Sequence, residues 1–186
     1  QPIEPLFLSG AIRYDDYDDF GSATTWRASG RYEIADWFAI RSSVGTGFRA
    51  PSLQQQKFQL VSGALNSSGQ LTTVGTLPVD HPVAQLLGAQ PLEAETSDNF
   101  SAGFVLQTGE LSLTADWFSI DIDDRIVLSE QFGGQDVADI LSAAGITNFQ
   151  QVRFFSNAAD TRTQGYEFAL AWRRNLSTEA RLGLSM

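Results

Sequence analysis

Apolar and polar side chains alternate along much of this chain, which is typical of β-strands because successive side chains point to opposite faces. The clearest run extends from Thr25 to Ile34. Its apolar face would carry Trp26, Ala28, Gly30, Tyr32 and Ile34, and its polar face Thr25, Arg27, Ser29, Arg31 and Glu33. Similar but less regular patterns predict further strands at residues 6–15, 38–49, 99–107, 110–123, 165–173 and 180–185.

The connections between these predicted strands alternate between short and long. Tight hairpins are predicted at Ala35-Asp36, at Thr108-Gly109 and at residues 175–178. Between them lie an acidic loop at residues 16–22 and two long loops, at about residues 50–91 and 129–157. Short turns at one end and long loops at the other are typical of outer-membrane barrels.

Together these patterns predict an all-β fold, an antiparallel up-and-down meander of about seven strands. Alternation alone equally allows a soluble β-sandwich, whose apolar face would be its core. The predicted strands are longer than the usual five or six residues, which favours a barrel. Aromatic residues also lie toward the strand ends, as in interfacial girdles; they are Tyr14, Trp26, Trp37, Phe38, Phe48, Trp117, Tyr166 and Trp172.

Two local features add detail to this prediction. A short helix is expected in the second long loop, with Asp136 as its N-cap and Gly145 at its end. After Trp117 the apolar residues change phase, which predicts a β-bulge or emergence from the membrane.

Composition narrows the function classes more than the fold. The 186 residues carry a net charge of -10, with eleven arginines and Lys57 as the only lysine, so a nucleic-acid partner is excluded by the lack of clustered positive charge. There is no cysteine, which excludes disulfides and thiolate metal sites. No stretch reaches the roughly 20 apolar residues of a membrane helix. The chain begins at Gln1 without a signal peptide and ends within a predicted strand, and we expect it to be a piece of a larger protein.

Candidate chemistry is sparse. His81 is the only histidine, and its place in a loop rich in Gly, Ser and Pro indicates a surface residue, not a member of a triad. The acidic runs at residues 15–19 and 121–124 lack the spacing of a calcium loop and are interpreted as solvated turns. We therefore predict that the chain is not an enzyme and uses no cofactor or metal.

Arginines recur on the polar faces of the predicted strands. In a sandwich they would be solvated, whereas in a barrel they would line the lumen and pair with acidic groups or with an anionic cargo. The lumen-facing candidates are Arg27, Arg31, Arg41, Arg49, Arg173 and Arg181, and Arg13 shares the pattern.

Four motifs follow one another in a familiar order. The first is Gly47, Phe48, Arg49, Ala50, Pro51 and Ser52, which resembles the "GFRAPS" segment of TonB-dependent outer-membrane receptors. Residues 92–103 are similar to the "L.PE.S.N...G" strand of that family, with Ala94 where the family prefers proline. Residues 116–126 are similar to its "D.Y.I.I.D.I" strand and residues 157–167 to its "N.......G.E" strand. The resemblance covers residues 5–186 and indicates the later part of the barrel.

This resemblance implies a roughly 22-stranded transmembrane barrel in the outer membrane of a Gram-negative bacterium. Its partners would be membrane lipid, an extracellular nutrient and TonB, which would act through an N-terminal plug outside this sequence. Iron-siderophore complexes are the commonest cargo class of the family, and loop residues Gln54, Gln55, Phe58 and Phe132 are candidates for touching the cargo. The alternative is a soluble β-sandwich that binds carbohydrate or mediates adhesion.

Overall fold

The computed structural model describes residues 5–18, 21–65, 69, 71–146, 149–175 and 181–185. Ten strands and three helices follow one another in this part of the chain. They are β1 (Leu6–Tyr17), β2 (Gly21–Ala35), β3 (Phe38–Arg49), α1 (Leu53–Lys57), β4 (Leu60–Leu65), β5 (Leu71–Thr76), α2 (Pro82–Leu86), β6 (Glu95–Thr108), β7 (Leu111–Leu128), α3 (Gln135–Ala143), β8 (Gln151–Arg153), β9 (Phe155–Asn175) and β10 (Arg181–Ser185). None of the helices in this described part has the length and apolar character needed to cross a bilayer.

Seven of these strands form one sheet, in the order β1-β2-β3-β6-β7-β9-β10. Strand β1 pairs with β2, β2 with β3, and β9 with β10, all antiparallel. The predicted meander of about seven strands is therefore confirmed. The chain divides into two compact units, and the described residues of the first fall within the ranges 1–48, 96–122 and 161–186.

Register across β1 and β2 preserves the two faces expected from the sequence. Ile12 lies opposite Trp26 and Leu6 opposite Tyr32, whereas Ser9 lies opposite Ser29. Directly opposed residues share a face of a sheet, so the apolar residues of the two strands are collected on one side.

The apolar face of this sheet is uncovered. Ile12 is 80% exposed, Trp26 is 43% exposed and Leu170 is 41% exposed. In a soluble sandwich these side chains would be buried against a second sheet. The sandwich alternative is therefore not favoured, and the open apolar face suits a barrel wall.

The tight turns lie close to their predicted positions. Asp36 and Trp37 join β2 to β3, and Gly109 and Glu110 join β6 to β7, each one residue later than expected. Gly109 has φ 44°, a left-handed conformation that favours glycine. The third predicted turn falls mostly on residues 176–180, which lie outside the described residues. The acidic loop is shorter than predicted, because β1 continues to Tyr17 and β2 begins at Gly21.

The two predicted long loops form the second compact unit, which contains residues 49–95 and 123–160. Strands β4, β5 and β8 make a separate three-stranded sheet, in which β5 from the first loop pairs parallel with β8 from the second. The meander is therefore accompanied by a parallel pair that alternation did not predict. The second loop was predicted at about residues 129–157. In the structure β7 ends at Leu128 and β9 begins at Phe155.

The second unit has its own hydrophobic core, built from both loops. The first loop contributes Leu77, Val83, Ala84 and Ala89, and the second contributes Leu141, Phe149, Val152 and Phe154. Backbone hydrogen bonds also join the two loops, since Leu77 N donates to Arg153 O and Gln150 N donates to Thr73 O, each at 3.0 Å. The two loops thus fold as one packed module.

Helix α3 confirms the helix predicted in the second loop, but its start was wrong. Gly134, with φ 99°, is the N-cap. Asp136 lies in the first turn, where its negative charge interacts favourably with the helix dipole, but it is not the residue that caps the helix. Gly145, with φ 72°, follows the C-cap as predicted. Strand β7 runs without interruption through the phase change after Trp117, and Phe118 and Ile120 line the same concavity as Asp116. The bulge or emergence from the membrane stays a prediction.

Candidate functional site

Serine hydroxyls cross four strands of the polar sheet face in a row. The Ser9 and Ser29 hydroxyls are 2.7 Å apart, and those of Ser43 and Ser101 are 2.8 Å apart. Ser29 lies directly opposite Ser43, which joins the two pairs. Small hydroxyl groups thus give this face a shallow, hydrogen-bonded floor.

Two of the predicted lumen arginines lie beside this row and directly opposite each other, Arg31 on β2 and Arg41 on β3. Like charges in this position repel, and each guanidinium has its own carboxylate. Arg31 Nη2 is 3.1 Å from a Glu33 oxygen, and Arg41 Nε donates to Asp116 Oδ1 at 2.8 Å. A side chain at Gly103 would collide with Asp116, so this glycine makes room for the Arg41 partner.

Arg27 differs from its neighbours on this face. No carboxylate of the described residues lies within ion-pair distance of its guanidinium. Arg27, Arg31 and Arg41 line one concavity of about 700 Å³, together with Phe118 and Ile120. The structure therefore brings three of the predicted lumen arginines together and leaves one available for an anionic partner; their position in a lumen stays a prediction.

The remaining lumen candidates lie elsewhere. Arg173 is exposed on β9, opposite Gly183, and does not line the concavity. The Arg181 side chain lies outside the described residues, although its backbone pairs with Asn175. Arg49 belongs to the junction of the two loops.

The first motif makes the transition from strand to helix. Gly47 allows β3 to approach β6, since a Cβ there would lie 2.7 Å from Ser97 Oγ. Pro51 is buried, and Ser52 caps α1 in a capping box, its Oγ accepting from Gln55 N at 3.2 Å while Gln55 Oε1 accepts from Ser52 N at 3.0 Å. Together with Phe48, Arg49 and Ala50 these residues end the strand and start the loop.

Glu95 joins three strand ends near the first motif. Its Oε2 accepts from Arg49 Nε at 2.9 Å, and its Oε1 accepts from Ile126 N at 2.8 Å. Glu95 is only 5% exposed. One buried carboxylate therefore holds the end of β3, the start of β6 and a buried amide of β7.

Asn157 makes a second connection of the same kind. Its Oδ1 accepts from Glu93 N at 2.9 Å, and its Nδ2 donates to Glu93 O at 3.0 Å and to Asp124 O at 2.6 Å. Asp160 Oδ1 accepts from Asp124 N at 3.1 Å, where Asp124 has φ 56°. The four motifs thus converge where both loops leave and rejoin the strands. Glu95 and Asn157 were not predicted as site residues, although both occupy motif positions.

The predicted ligand-loop residues divide into two groups. Gln54 is exposed on α1, and Phe58 is a half-buried residue that ends this helix. Gln55 is occupied in the capping box, and Phe132 stacks on Phe154 with ring centroids 5.2 Å apart. Contact with cargo stays a prediction for all four residues.

His81 is half-buried and acts as a helix cap, since its Nδ1 accepts from Val83 N at 3.2 Å. Next to it, the Lys57 ammonium donates to Asp80 at 2.6 Å, and this hydrogen bond lowers the pKa of the Asp80 carboxyl. Within the described ranges no group of three or more His or carboxylate residues is arranged to hold a metal ion.

Comparison with solved structures supports the barrel fold. The siderophore receptor PirA from Pseudomonas aeruginosa aligns with 99% of this chain at a TM-score of 0.67 and 19% identity, and the chain spans 31% of it. A mutant of the ferric enterobactin receptor PfeA from the same species, in complex with enterobactin, aligns with 100% of the chain at a TM-score of 0.69 and 16% identity; the chain spans 24% of that receptor.

Sequence comparison gives a shorter match and a family. The vitamin B12 transporter BtuB of Vibrio vulnificus is 36% identical over 47 residues, which is 25% of this chain and 8% of the transporter. The family described as "TonB dependent receptor-like, beta-barrel" matches residues 1–185. With its two-faced sheet of long strands and its four converging motifs, the chain belongs to the TonB-dependent receptor β-barrel family.

Proposed function

We propose that this chain is part of the wall of an outer-membrane receptor that imports a scarce nutrient, with ferric siderophores as the cargo. The family match over residues 1–185 is the observation that carries the proposal. In this role the uncovered apolar face meets lipid and the concave polar face borders the transport path. The cell location would be the outer membrane of a Gram-negative bacterium, and TonB would act through a plug outside this sequence.

Two features favour a ferric siderophore over other cargo. The similar receptors PirA and PfeA are described as siderophore and ferric enterobactin receptors. The concavity is also lined by Arg27, a cation without an acidic partner among the described residues, and by Phe118. A concavity that offers both a guanidinium and an aromatic ring suits an anionic aromatic chelate. The match to BtuB makes cobalamin the second candidate.

The proposed role is transport without catalysis. His81 is occupied as a helix cap, and the arginine-carboxylate pairs are arranged as structural cross-links. Chemical change of the cargo would therefore take place elsewhere.

Growth of a deletion strain distinguishes the two cargo candidates. We expect loss of growth on ferric enterobactin as the sole iron source, restored by the full-length gene, with cobalamin-dependent growth unchanged. Loss of cobalamin-dependent growth alone would assign the second cargo. Loss of neither would overturn the proposed import of both nutrients.

Variants at Arg27 test the role of the concave face in the full-length receptor. Arg27→Ala should weaken uptake of radiolabelled ferric enterobactin, whereas Arg27→Lys should retain most of it because the charge is kept. Equal uptake by both variants and the unchanged receptor would remove Arg27 from the transport path.

A further inference from the structure

Strand β4 is an open edge of the loop module, the packed unit that the two long loops form. The strand order is β4-β5-β8, so β4 (Leu60–Leu65) has one neighbouring strand among the described residues. The opposite edge is covered, because Phe132 and Val152 of β8 exchange two backbone hydrogen bonds, at 2.8 and 2.9 Å. The backbone N–H and C=O groups on the outer side of β4 are therefore available to a further strand.

This edge carries no device that would prevent a further strand from pairing with it. Proteins commonly block open edges with charged side chains, prolines or bulges. Strand β4 has the sequence LVSGAL, with neither a proline nor a charge, and its six residues pair with β5 in an uninterrupted register. No charged residue occurs in residues 58–79, although charged residues make up 18% of the sequence. The edge is therefore suited to accept a strand.

Apolar side chains are exposed on one face of the β4–β5 hairpin. Val61 is 51% exposed, Leu65 71% and Leu71 77%. Leu65 lies opposite Leu71, and Val61 shares this face because side chains alternate along a strand. A strand with apolar side chains that paired with β4 would remove part of this apolar area from water.

A second copy of the chain fits this edge. Two copies with a net charge of -10 repel each other over much of their surfaces, but not across an uncharged hairpin. A two-fold interface must also be self-complementary. Antiparallel pairing centred on Gly63 meets this condition, because it places Val61 opposite Leu65 of the second copy on the same face. Gly63 then lies opposite Gly63 of the second copy, where no side chain obstructs the approach.

We propose that β4 pairs with β4 of a second receptor copy, antiparallel and centred on Gly63. The pairing joins two three-stranded sheets into one six-stranded sheet. A six-residue edge buries less than the roughly 1,000 Å² of a stable soluble interface, so the pairing depends on the high effective concentration of copies held in one membrane. It rests on the proposed outer-membrane location but not on the proposed cargo, so the growth test and a cross-linking test fail independently.

Cysteine cross-linking in intact outer membranes tests this pairing in the full-length receptor. The sequence has no cysteine, and any cysteine elsewhere in the receptor is first replaced by serine. Directly opposed Cβ atoms of an antiparallel pair lie about 4.5–5.5 Å apart, close to the reach of a disulfide. In the proposed dimer, Gly63 is opposed to its equivalent, whereas Leu71 lies one strand further in, about 14 Å from its equivalent.

We expect oxidation of Gly63→Cys to give at least about five times as much covalent dimer as oxidation of the matched control Leu71→Cys. The control position is the more informative because Leu71 is highly exposed, so random collisions would cross-link it readily. Equal dimer yields at the two positions, or no dimer with Gly63→Cys, would overturn the proposal.

Mixed copies test the register without changing Gly63. Val61→Cys and Leu65→Cys receptors with different affinity tags are co-expressed, and both positions are exposed. In the proposed register the two cysteines are directly opposed, whereas identical positions lie about 13 Å or more apart. We expect at least about fivefold more covalent dimer between unlike copies than between like copies. Cross-linking that is as strong between like copies, or absent between unlike copies, would refute the two-fold pairing.

Discussion

Replacing the buried Glu95 by alanine should loosen the junction of the two loops without unfolding the sheet. The Glu95 carboxylate accepts from Arg49 through both Nε and Nη2 and from Ile126 N, and Glu95 is 5% exposed. Glu95→Ala removes both contacts and leaves the buried amide of Ile126 without a partner. The perturbation is therefore local to the stems of the loops.

The size of the effect follows from the two contacts. A hydrogen bond to a charged acceptor stabilises a protein by about 1.5–3 kcal/mol, and a buried donor left unpaired costs about 1–3 kcal/mol. At Ile126 both figures describe the loss of the same hydrogen bond, so they are not added. The Arg49 side chain is half-exposed, so water replaces part of its ion pair. We expect Glu95→Ala to lower the free energy of local opening at this junction by about 2–3 kcal/mol.

Hydrogen exchange followed by mass spectrometry measures this opening in the full-length receptor. A cost of about 2–3 kcal/mol corresponds to about 30- to 150-fold faster exchange at the Ile126 amide. Glu95→Gln keeps an acceptor for this amide, so we expect a much smaller increase. The control Glu110→Ala removes a carboxylate from an exposed turn and should leave exchange at Ile126 unchanged.

A rise of less than about threefold in hydrogen exchange of the peptide containing Ile126 in Glu95→Ala would refute the assigned contact. Equal damage by Glu95→Gln and Glu95→Ala would show that the charge of Glu95, and not its contact with the Ile126 amide, dominates. Faster exchange in the strands of the first unit would show that Glu95 stabilises the sheet and not the junction alone.

Three further predictions concern the junction, the loop core and the apolar face. Asn157→Asp should destabilise the junction as much as Asn157→Ala, because a carboxylate cannot donate to the carbonyls of Glu93 and Asp124. Faster hydrogen exchange in both loops would show this destabilisation, and unchanged exchange in the Asp variant would refute it. Gly75→Ala should lower the free energy of unfolding by about 1–3 kcal/mol, since its Cβ would lie 2.8 Å from the buried Phe149 ring, whereas Gly10→Ala should be tolerated. Equal thermal unfolding of the two variants would contradict this prediction. Ile12→Glu should lower the amount of receptor assembled in the outer membrane while Ala11→Glu on the other face does not, and equal assembly would argue against a lipid-facing role for Ile12.

The sheet could be predicted because its signal is local. Alternation assigns each residue of a strand to a face without knowledge of its neighbours, and the structure places the predicted apolar residues Ile12 and Trp26 opposite each other. Turn positions were nearly correct for the same reason, since Gly109 supplies a left-handed conformation that few other residues adopt.

The loop module could not be predicted because its signal is non-local. The pairing of β5 with β8 joins segments about 75 residues apart, as Val74 opposite Gln151 shows. The cap of α3 was missed because Asp136 satisfies the preference for an N-cap in sequence, whereas the chain places Gly134 there. Glu95 and Asn157 were visible as motif positions, but their contacts depend on strand ends that only folding brings together.

The core shared by both loops has a consequence for engineering receptors of this kind. Exchanging residues 50–91 alone with those of another receptor would leave Leu141 and Val152 facing a surface that they do not match. Loop grafts intended to change cargo preference should therefore transfer residues 50–91 and 129–157 as a pair. The shared core also constrains natural sequence changes in one loop by the sequence of the other, so the two loops would diversify through linked substitutions.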